Sequence, residues 1–244
     1  MNTYSFTYVI SYRHRIDRFN NLKRVLDWIN GFGGVDVILV EQDTHSKISH
    51  LNLKARQVFL KSDKPYNKYW AFNVASKMAK TNIIIFGDSQ TIIEPKYFIE
   101  SIQKIDKFDF INPFNKTINI PQNQSGLQMN DLFKIEQNDV VNSICENISI
   151  FRKEAFNRIG GWNEDFIGEG EHMFMSKKVK EFLNWTEEDN KGYKFFYEEE
   201  PNIKILQNNS QLLQSLVNLS KDDLTRSINM SLQKIGMINK YDKI

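Results

Sequence analysis

The chain is short of the features that would place it in several familiar classes. Cys145 is its only cysteine, so no intramolecular disulfide can form and the thiol count gives no sign of an oxidising compartment. A buried structural thiol is the expected role. No run of 18 apolar residues occurs, and the amino-terminal MNTYSFTYVISYRHR has neither a long apolar core nor a small-residue cleavage site, which argues for a cytosolic protein without a membrane span. Net charge is also scarce. Thirty-two Lys plus Arg against thirty Asp plus Glu leave +2, too little for the global field to draw the chain to nucleic acid or an acidic membrane. There is no Pro/Gly-rich linker and no internal repeat. What remains, 41% apolar and 25% charged residues over 244 positions, suits one sizeable folded core. Asn-X-Ser/Thr triplets such as those at Asn115 and Asn147 are read as chance in an Asn-rich chain.

The first half of the sequence alternates between strand and helix patterns. Phe6 to Ser11 is a short run of strand formers, and Asp17 is a fair N-cap for a helix carrying Phe19, Leu22, Leu26 and Ile29 on one face, ended by Gly31. Val35 to Val40 is nearly continuously apolar, as expected of a parallel strand covered on both faces. Gln57 to Leu60 reads as a third strand, residues 68 to 80 as a helix, and Ile83 to Phe86 as a central strand. Such alternation predicts a mostly parallel sheet with helices on both faces, whose ligands bind outside the carboxyl ends of the strands. Ser11 to Arg15, Glu41 to Asp43 and Asp88 then share one rim.

The second half is less regular. Pro95 suits the first turn of a helix running to Ile105, and Phe108 to Asn112 is strand-like. Residues 115 to 142 are polar and Asn/Gln-rich, so a loop-rich excursion is expected there. Ile148 to Phe151 resumes as a strand, Arg152 to Ile159 as a short helix, and Gly160-Gly161 as a turn; residues 171 to 183 look helical and Phe195 to Leu206 holds one or two more strands. From Gln211 an amphipathic tail, with Leu213, Leu216, Val217, Leu224, Ile228, Leu232 and Ile235, predicts a helical pair.

A series of motifs then stands in order along the chain: Ser11-Tyr-Arg-His-Arg15, Val40-Glu-Gln42, Asn67-Lys-Tyr-Trp-Ala-Phe-Asn73, Phe86-Gly-Asp88, Ile150-Phe-Arg-Lys-Glu-Ala-Phe156, Gly160-Gly-Trp-Asn-Glu-Asp-Phe166 and Gly168-Glu-Gly-Glu171. The series resembles the GT-A fold nucleotide-sugar glycosyltransferases. More narrowly, it is similar to family-2 bacterial glycosyltransferases with the galactosyltransferase-like C-terminal motif of chondroitin-polymerase-type enzymes. The resemblance, which runs from about Phe6 to about Leu206, implies a GT-A, Rossmann-like α/β domain over residues 1–210 with a mixed, mostly parallel sheet flanked by helices, and the amphipathic tail over 211–244 is expected as a helical extension packed on it. It also implies transfer of a sugar from a nucleotide donor, in the first place a UDP-sugar, to a hydroxyl acceptor such as a glycan, with inversion.

Residue by residue, the resemblance implies that Ser11, Tyr12, Arg13 and Arg15 lie against the nucleotide, where guanidinium forks suit phosphate and uracil oxygens. Glu41 or Gln42 would contact the base or ribose, Asn67 and Lys68 the diphosphate, and Asp88 the ribose or sugar hydroxyls; Trp162 is counted with the donor-binding residues. Glu171 is the implied base that takes the acceptor proton, with His172 or Glu169 assisting. Plainer readings stand beside these. Arg13 and Arg15 are also ordinary surface cations, Glu41 a solvated strand end, Asn67-Lys68 a helix start, Asp88 a cap before Thr91, and Glu169 an acid favouring a helix dipole.

Two departures from the family pattern matter. The second acid of the Asp-X-Asp metal motif is Gln90, and a neutral amide is a poor ligand for Mn²⁺ or Mg²⁺, so a metal on Asp88 is in question. Ile203 to Asn209, read as a late strand, also lacks the histidine many relatives carry there. Fixed cations such as Arg13, Arg15, Lys68, Lys194 or Lys204 are the alternative stabilisers of a leaving diphosphate. Two other functions stay open: a non-catalytic sugar- or nucleotide-binding module, and a transferase acting on hydroxylated bases in DNA. The latter needs a continuous basic groove, for which Arg18, Lys23, Arg24 or Lys177, Lys178, Lys180 are candidates that solvated helix faces explain more simply.

Overall fold

The computed structural model describes residues 5–121, 124, 126–135, 140–168, 170–195, 203–232 and 235–237. Its centre is a seven-stranded sheet. In chain order its strands are β1 (Phe6–Tyr12), β2 (Val35–Asp43), β3 (Arg56–Lys61), β4 (Ile83–Gly87), β6 (Phe110–Asn112), β9 (Ser149–Arg152) and β10 (Trp185–Glu187); the spatial order is β10-β6-β9-β4-β1-β2-β3. β1, β2, β3 and β4 are mutually parallel where they pair, whereas β9 runs antiparallel to both β4 and β6. A smaller sheet, β5-β11-β7-β8, is built from β5 (Thr91–Ile93), β7 (Lys116–Ile120), β8 (Val140–Val141) and β11 (Lys191–Phe195).

The pleat explains why the central runs read as continuously apolar. Tyr8, Ile10 and Tyr12 of β1, Val37 and Leu39 of β2, and Ile83 and Ile85 of β4 enter one buried cluster. Their alternating neighbours Val9, Ile38, Val40, Ile84 and Phe86 enter a second cluster on the other face. The first cluster is closed by α1 (Ile16–Asn30), α3 (Pro95–Gln103) and the small sheet; the second by α2 (Lys68–Met78), α5 (Lys153–Arg158), α6 (Glu171–Phe182), α7 (Ile203–Val217) and α8 (Lys221–Ser231). Fully burying each such Ile or Phe contributes about 1.5–3 kcal/mol, so both faces drive the sheet together.

Several local expectations change. Asp17 is not the cap of α1: the helix starts at Ile16 with Arg15 at the N-cap and no side-chain cap bond. Packing of Leu22, Val25, Leu26 and Ile29 holds the helix instead. The excursion over 115–142 contains β7 and a four-residue turn of helix, α4 (Met129–Leu132). β7 is decided by non-local pairing, since Lys191 to Phe195 align with Lys116 to Ile120 in parallel. Within Phe195 to Leu206 no further strand begins among the described residues: β11 ends at Phe195, and Ile203 opens α7. Ile203-Lys-Ile-Leu206 looked strand-like over four residues, but the apolar positions continue through Leu212, Leu213 and Leu216, which pack on the second cluster at helical spacing. Lys204 is exposed on this helix, ahead of the point where the tail was expected to begin.

Candidate active site

The register of the parallel strands sets the rim. Tyr12 aligns with Glu41, and Ile10 with both Leu39 and Gly87, so the chain leaves β1, β2 and β4 at one edge. At the end of central β4 stands Asp88, half-buried. Its Oδ1 accepts from the Gln90 amide (3.0 Å) and its Oδ2 from the Thr91 hydroxyl (3.1 Å), which closes a tight Asx-type turn into β5. Gln90 is buried and its carbonyl accepts from the Phe195 amide. Gly87 is compelled by packing, because a Cβ there would lie 2.0 Å from the Tyr8 hydroxyl.

Beside this turn Arg13 leaves β1. Its Nε donates to the Gln42 carbonyl (2.9 Å), its Nη2 donates to the Lys64 carbonyl (2.8 Å), and the guanidinium stands 5.8 Å from the centre of the Tyr66 ring. Tyr66 in turn shares a 2.5 Å hydrogen bond with the buried Ser11 hydroxyl. Burial pushes the Tyr66 phenol up to about 12; Asp88 adds to the rise, while Ser11, Arg18 and Arg13 oppose it. Tyr66 therefore ties Ser11, Arg13 and Asp88 into one patch, and sequence reading passed over it. Its only local signal was its place just before Asn67-Lys68.

Other sequence candidates turn inward. Glu41 is buried, and its carboxylate holds a loop by accepting from the Ser46 hydroxyl (2.5 Å) and the Lys47 amide (2.7 Å). The Gln42 side chain brackets the backbone of Asn67, accepting from its amide (2.7 Å) and donating to its carbonyl (3.2 Å). Tyr12 is buried and its hydroxyl lies 3.0 Å from His14 Nδ1. Asn67 caps α2 by accepting from the Trp70 amide (3.0 Å) and donates through Nδ2 to the Glu164 carbonyl (2.7 Å). Trp162 is buried against Tyr69, Phe72 and Phe86. Arg15 and Lys68 remain at the surface, exposed and half-buried respectively.

The Gly160-to-Phe166 turn is pinned to α2. Asn73 accepts from the Trp162 amide (3.0 Å) and donates to the Trp162 carbonyl (2.8 Å) and to Glu164 Oε1 (2.9 Å). Gly161 has a φ of +62°, and a Cβ there would stand 2.8 Å from Asn73 Oδ1, so both conformation and space require glycine. The tail adds to the clamp: the Gly236 amide donates to Glu164 Oε1 (2.5 Å) and Trp70 Nε1 donates to the Met237 carbonyl (2.7 Å). The two asparagines of the Asn67-to-Asn73 motif thus hold the turn that presents α6.

At the start of α6 the adjacent Glu171 and His172 have opposite surroundings. Glu171 is fully buried; Oε1 accepts from the Asn163 amide (2.8 Å), while Oε2 has no hydrogen-bond partner. Burial pushes its carboxyl up to about 8, against the pull of the Lys178 ammonium, the Asn163 amide and Lys68. His172 is half-buried; burial lowers its pKa, with the charges of Lys68 and Lys194 adding and that of Glu146 opposing. Glu169 lies outside the described residues.

The basic groove considered for nucleic acid is not assembled by its second set of residues. Lys178 is internal and donates to the Gly161 carbonyl, and Lys177 donates to the Val217 and Leu219 carbonyls (2.6 and 2.7 Å), satisfying the end of α7. Of the first set, Arg24 donates to the Leu127 carbonyl (2.9 Å). For a divalent cation the donor set fits poorly. At this turn Asp88 alone offers a carboxylate, and Gln90 offers no charge to offset the dehydration of a hard cation. Among the described residues no three His, Cys, Asp or Glu side chains converge as a metal site would, and no helix is long and apolar enough to cross a membrane.

No protein-family model matches the sequence, and no curated protein matches it either. Among solved structures the chain is similar to S. aureus TarS 1-349, with a TM-score of 0.57 at 13% identity over 94% of this chain and 70% of that one. A second S. aureus TarS structure gives 0.60 at 14% identity, covering 94% of this chain and 43% of that one, so the chain spans under half of its length. S. aureus TarS 1-349 in complex with UDP-GlcNAc gives 0.53 at 15% identity, covering 96% and 68%. At such identities the likeness is one of fold: the chain has a mixed α/β, GT-A-like fold with a mostly parallel central sheet flanked by helices.

Proposed function

We propose that the chain is a glycosyltransferase that moves a sugar from a nucleotide donor, in the first place a UDP-sugar, to a hydroxyl of a glycan or similar acceptor, with inversion at the anomeric carbon. One observation carries this reading. The Asp88 turn at the end of the central strand lies beside the Ser11–Tyr66–Arg13 patch, while half-buried His172 stands in the first turn of α6 within electrostatic reach of Lys68. The TarS structure that holds UDP-GlcNAc supports a nucleotide sugar as the first ligand to test. The narrower kinship with family-2 enzymes rests on the sequence motifs.

In this reading the base is His172. Glu171 is sealed from the acceptor and carries a proton at neutral pH, which makes it the support beneath the site. A half-buried imidazole with a lowered pKa is neutral at pH 7 and free to accept. The acceptor oxygen bonds to the anomeric carbon as the bond from that carbon to the distal phosphate oxygen breaks, its electron pair leaving with the diphosphate. The hydroxyl proton passes to His172. The test is a thermal-shift screen of UDP, GDP, CMP and their sugars, followed by release of nucleotide from the sugar that binds. A stabilising shift with a nucleotide and turnover in the presence of an acceptor support the proposal. Binding without any turnover would leave a sugar- or nucleotide-binding module, and no shift with any nucleotide would remove the donor site altogether.

A further inference from the structure

The poor fit of a divalent cation raises the question of what meets the charge of the leaving diphosphate. The small sheet supplies an answer. Lys194 of β11 pairs directly with Thr91 of β5 in the antiparallel register, and the next amide, Phe195 N, donates to the Gln90 carbonyl (2.8 Å). Residues opposed in an antiparallel ladder project from the same face with Cβ atoms about 5 Å apart. The Thr91 side chain on that face reaches Asp88 Oδ2, so Lys194 stands over the Asp88–Gln90 turn. Its neighbours Ile92 and Tyr193 go to the core. Lys194 is half-buried and makes no ion pair with a carboxylate among the described residues. It also acts on His172 electrostatically, as does Lys68 at the start of α2. Both lysines therefore act on the His172 end of the site, and Lys194 also stands over its Asp88 end, where in the reading above a diphosphate departs while an acceptor is deprotonated.

We propose that Lys194, with Lys68, supplies to the departing diphosphate the positive charge that an Asp-X-Asp site takes from a divalent cation, so that this site binds and releases its nucleotide without metal. The inference rests on the nucleotide-sugar reading above. A fixed ammonium stabilises the negative charge that develops on the leaving oxygens and needs no carboxylate to hold it. Gln90 is then consistent with the site, because a second acid beside Lys194 would draw the ammonium away from the phosphates.

Titration calorimetry with UDP and UMP, in excess EDTA and with Mn²⁺, tests this without relying on turnover. UDP is expected to bind in EDTA, with an affinity that Mn²⁺ changes by less than about threefold. Lys194→Met should cut UDP affinity roughly tenfold or more, the scale of one charge-assisted contact, while UMP affinity and the melting temperature stay unchanged. Gln90→Asp should make UDP affinity rise with Mn²⁺. UDP binding lost in EDTA and restored by Mn²⁺ would overturn the proposal and show that another acid completes a metal site with Asp88. An unaltered UDP-to-UMP ratio in Lys194→Met would overturn the role of Lys194. Failure of any nucleotide to bind under any condition would instead refute the donor site, and this inference with it.

Discussion

The Tyr8 hydroxyl occupies the space that a side chain on Gly87 would need: a Cβ there would lie 2.0 Å from the oxygen and 2.4 Å from the ring carbon that carries it. The two residues sit on adjacent parallel strands, directly beneath the Asp88 turn, and the Tyr8 hydroxyl is buried without a hydrogen-bond partner.

Gly87→Ala is therefore expected to destabilise the fold by about 1–3 kcal/mol, the usual cost of forcing an extra carbon into a packed core, and to weaken nucleotide binding by displacing Asp88. Tyr8→Phe should be neutral or stabilising by up to about 1 kcal/mol, because it removes an unsatisfied buried hydroxyl. Denaturant melts of both variants check the pair. A destabilised Tyr8→Phe would show that the hydroxyl has a partner after all.

Asn73→Ala removes three hydrogen bonds between α2 and the Trp162–Glu164 segment and leaves the Trp162 amide and carbonyl unmatched in a buried site. A loss of about 2–4 kcal/mol is expected, as for several buried polar groups stranded together. Asn73→Asp should not rescue it, since a carboxylate cannot donate to Glu164. Equilibrium unfolding in urea distinguishes this from a surface change, which would cost under about 0.5 kcal/mol.

Glu171 gives a pH signature to stability. Its folded carboxyl is held near 8 against an ordinary 4.5, so between those values the folded chain keeps a proton that the unfolded chain has released. The contribution is fully present below about pH 4.5 and is lost as pH rises to about 8. Glu171→Gln, a near-isostere of the protonated acid, should gain stability relative to the parent over that window. Unfolding free energies at pH 5 and pH 8 that differ equally in both proteins would contradict the assignment.

The rate profile should report His172. Because its pKa lies below 6.5, turnover is expected to fall only on the acid side of that value and to be flat through neutrality. His172→Gln should lower kcat by roughly a hundredfold or more and abolish the acid limb, with nucleotide affinity unchanged. An acid limb that survives this substitution would return the role to a carboxylate.

Most of the central sheet was legible in the sequence because its residues obey a local rule. Ile83 to Phe86 is apolar at every position and Val35 to Val40 at every position but Asp36, and only strands covered on both faces need that. Of the two readings open for Asn67, the structure shows the helix start, with Asn67 capping α2. The start of α7 was misplaced because four residues, Ile203 to Leu206, fit either period, and only contact with the second apolar cluster selects one.

The sequence by itself determined the alternation of elements, the shared rim at the carboxyl ends of β1, β2 and β4, and an ordered set of motifs that resembles the GT-A glycosyltransferases. Only the tertiary structure decided which motif residues face that rim. Asp88 and Arg13 stay there, whereas Gln42, Asn67, Asn73, Trp162 and Glu171 turn inward to hydrogen bonds or apolar packing. Lys194 arrives beside Asp88 from far along the chain through a strand pairing. The physical reason is common to all of them. Whether a polar side chain binds a ligand or satisfies a buried backbone group depends on the partner that folding places next to it, and that partner leaves no mark in the neighbouring sequence.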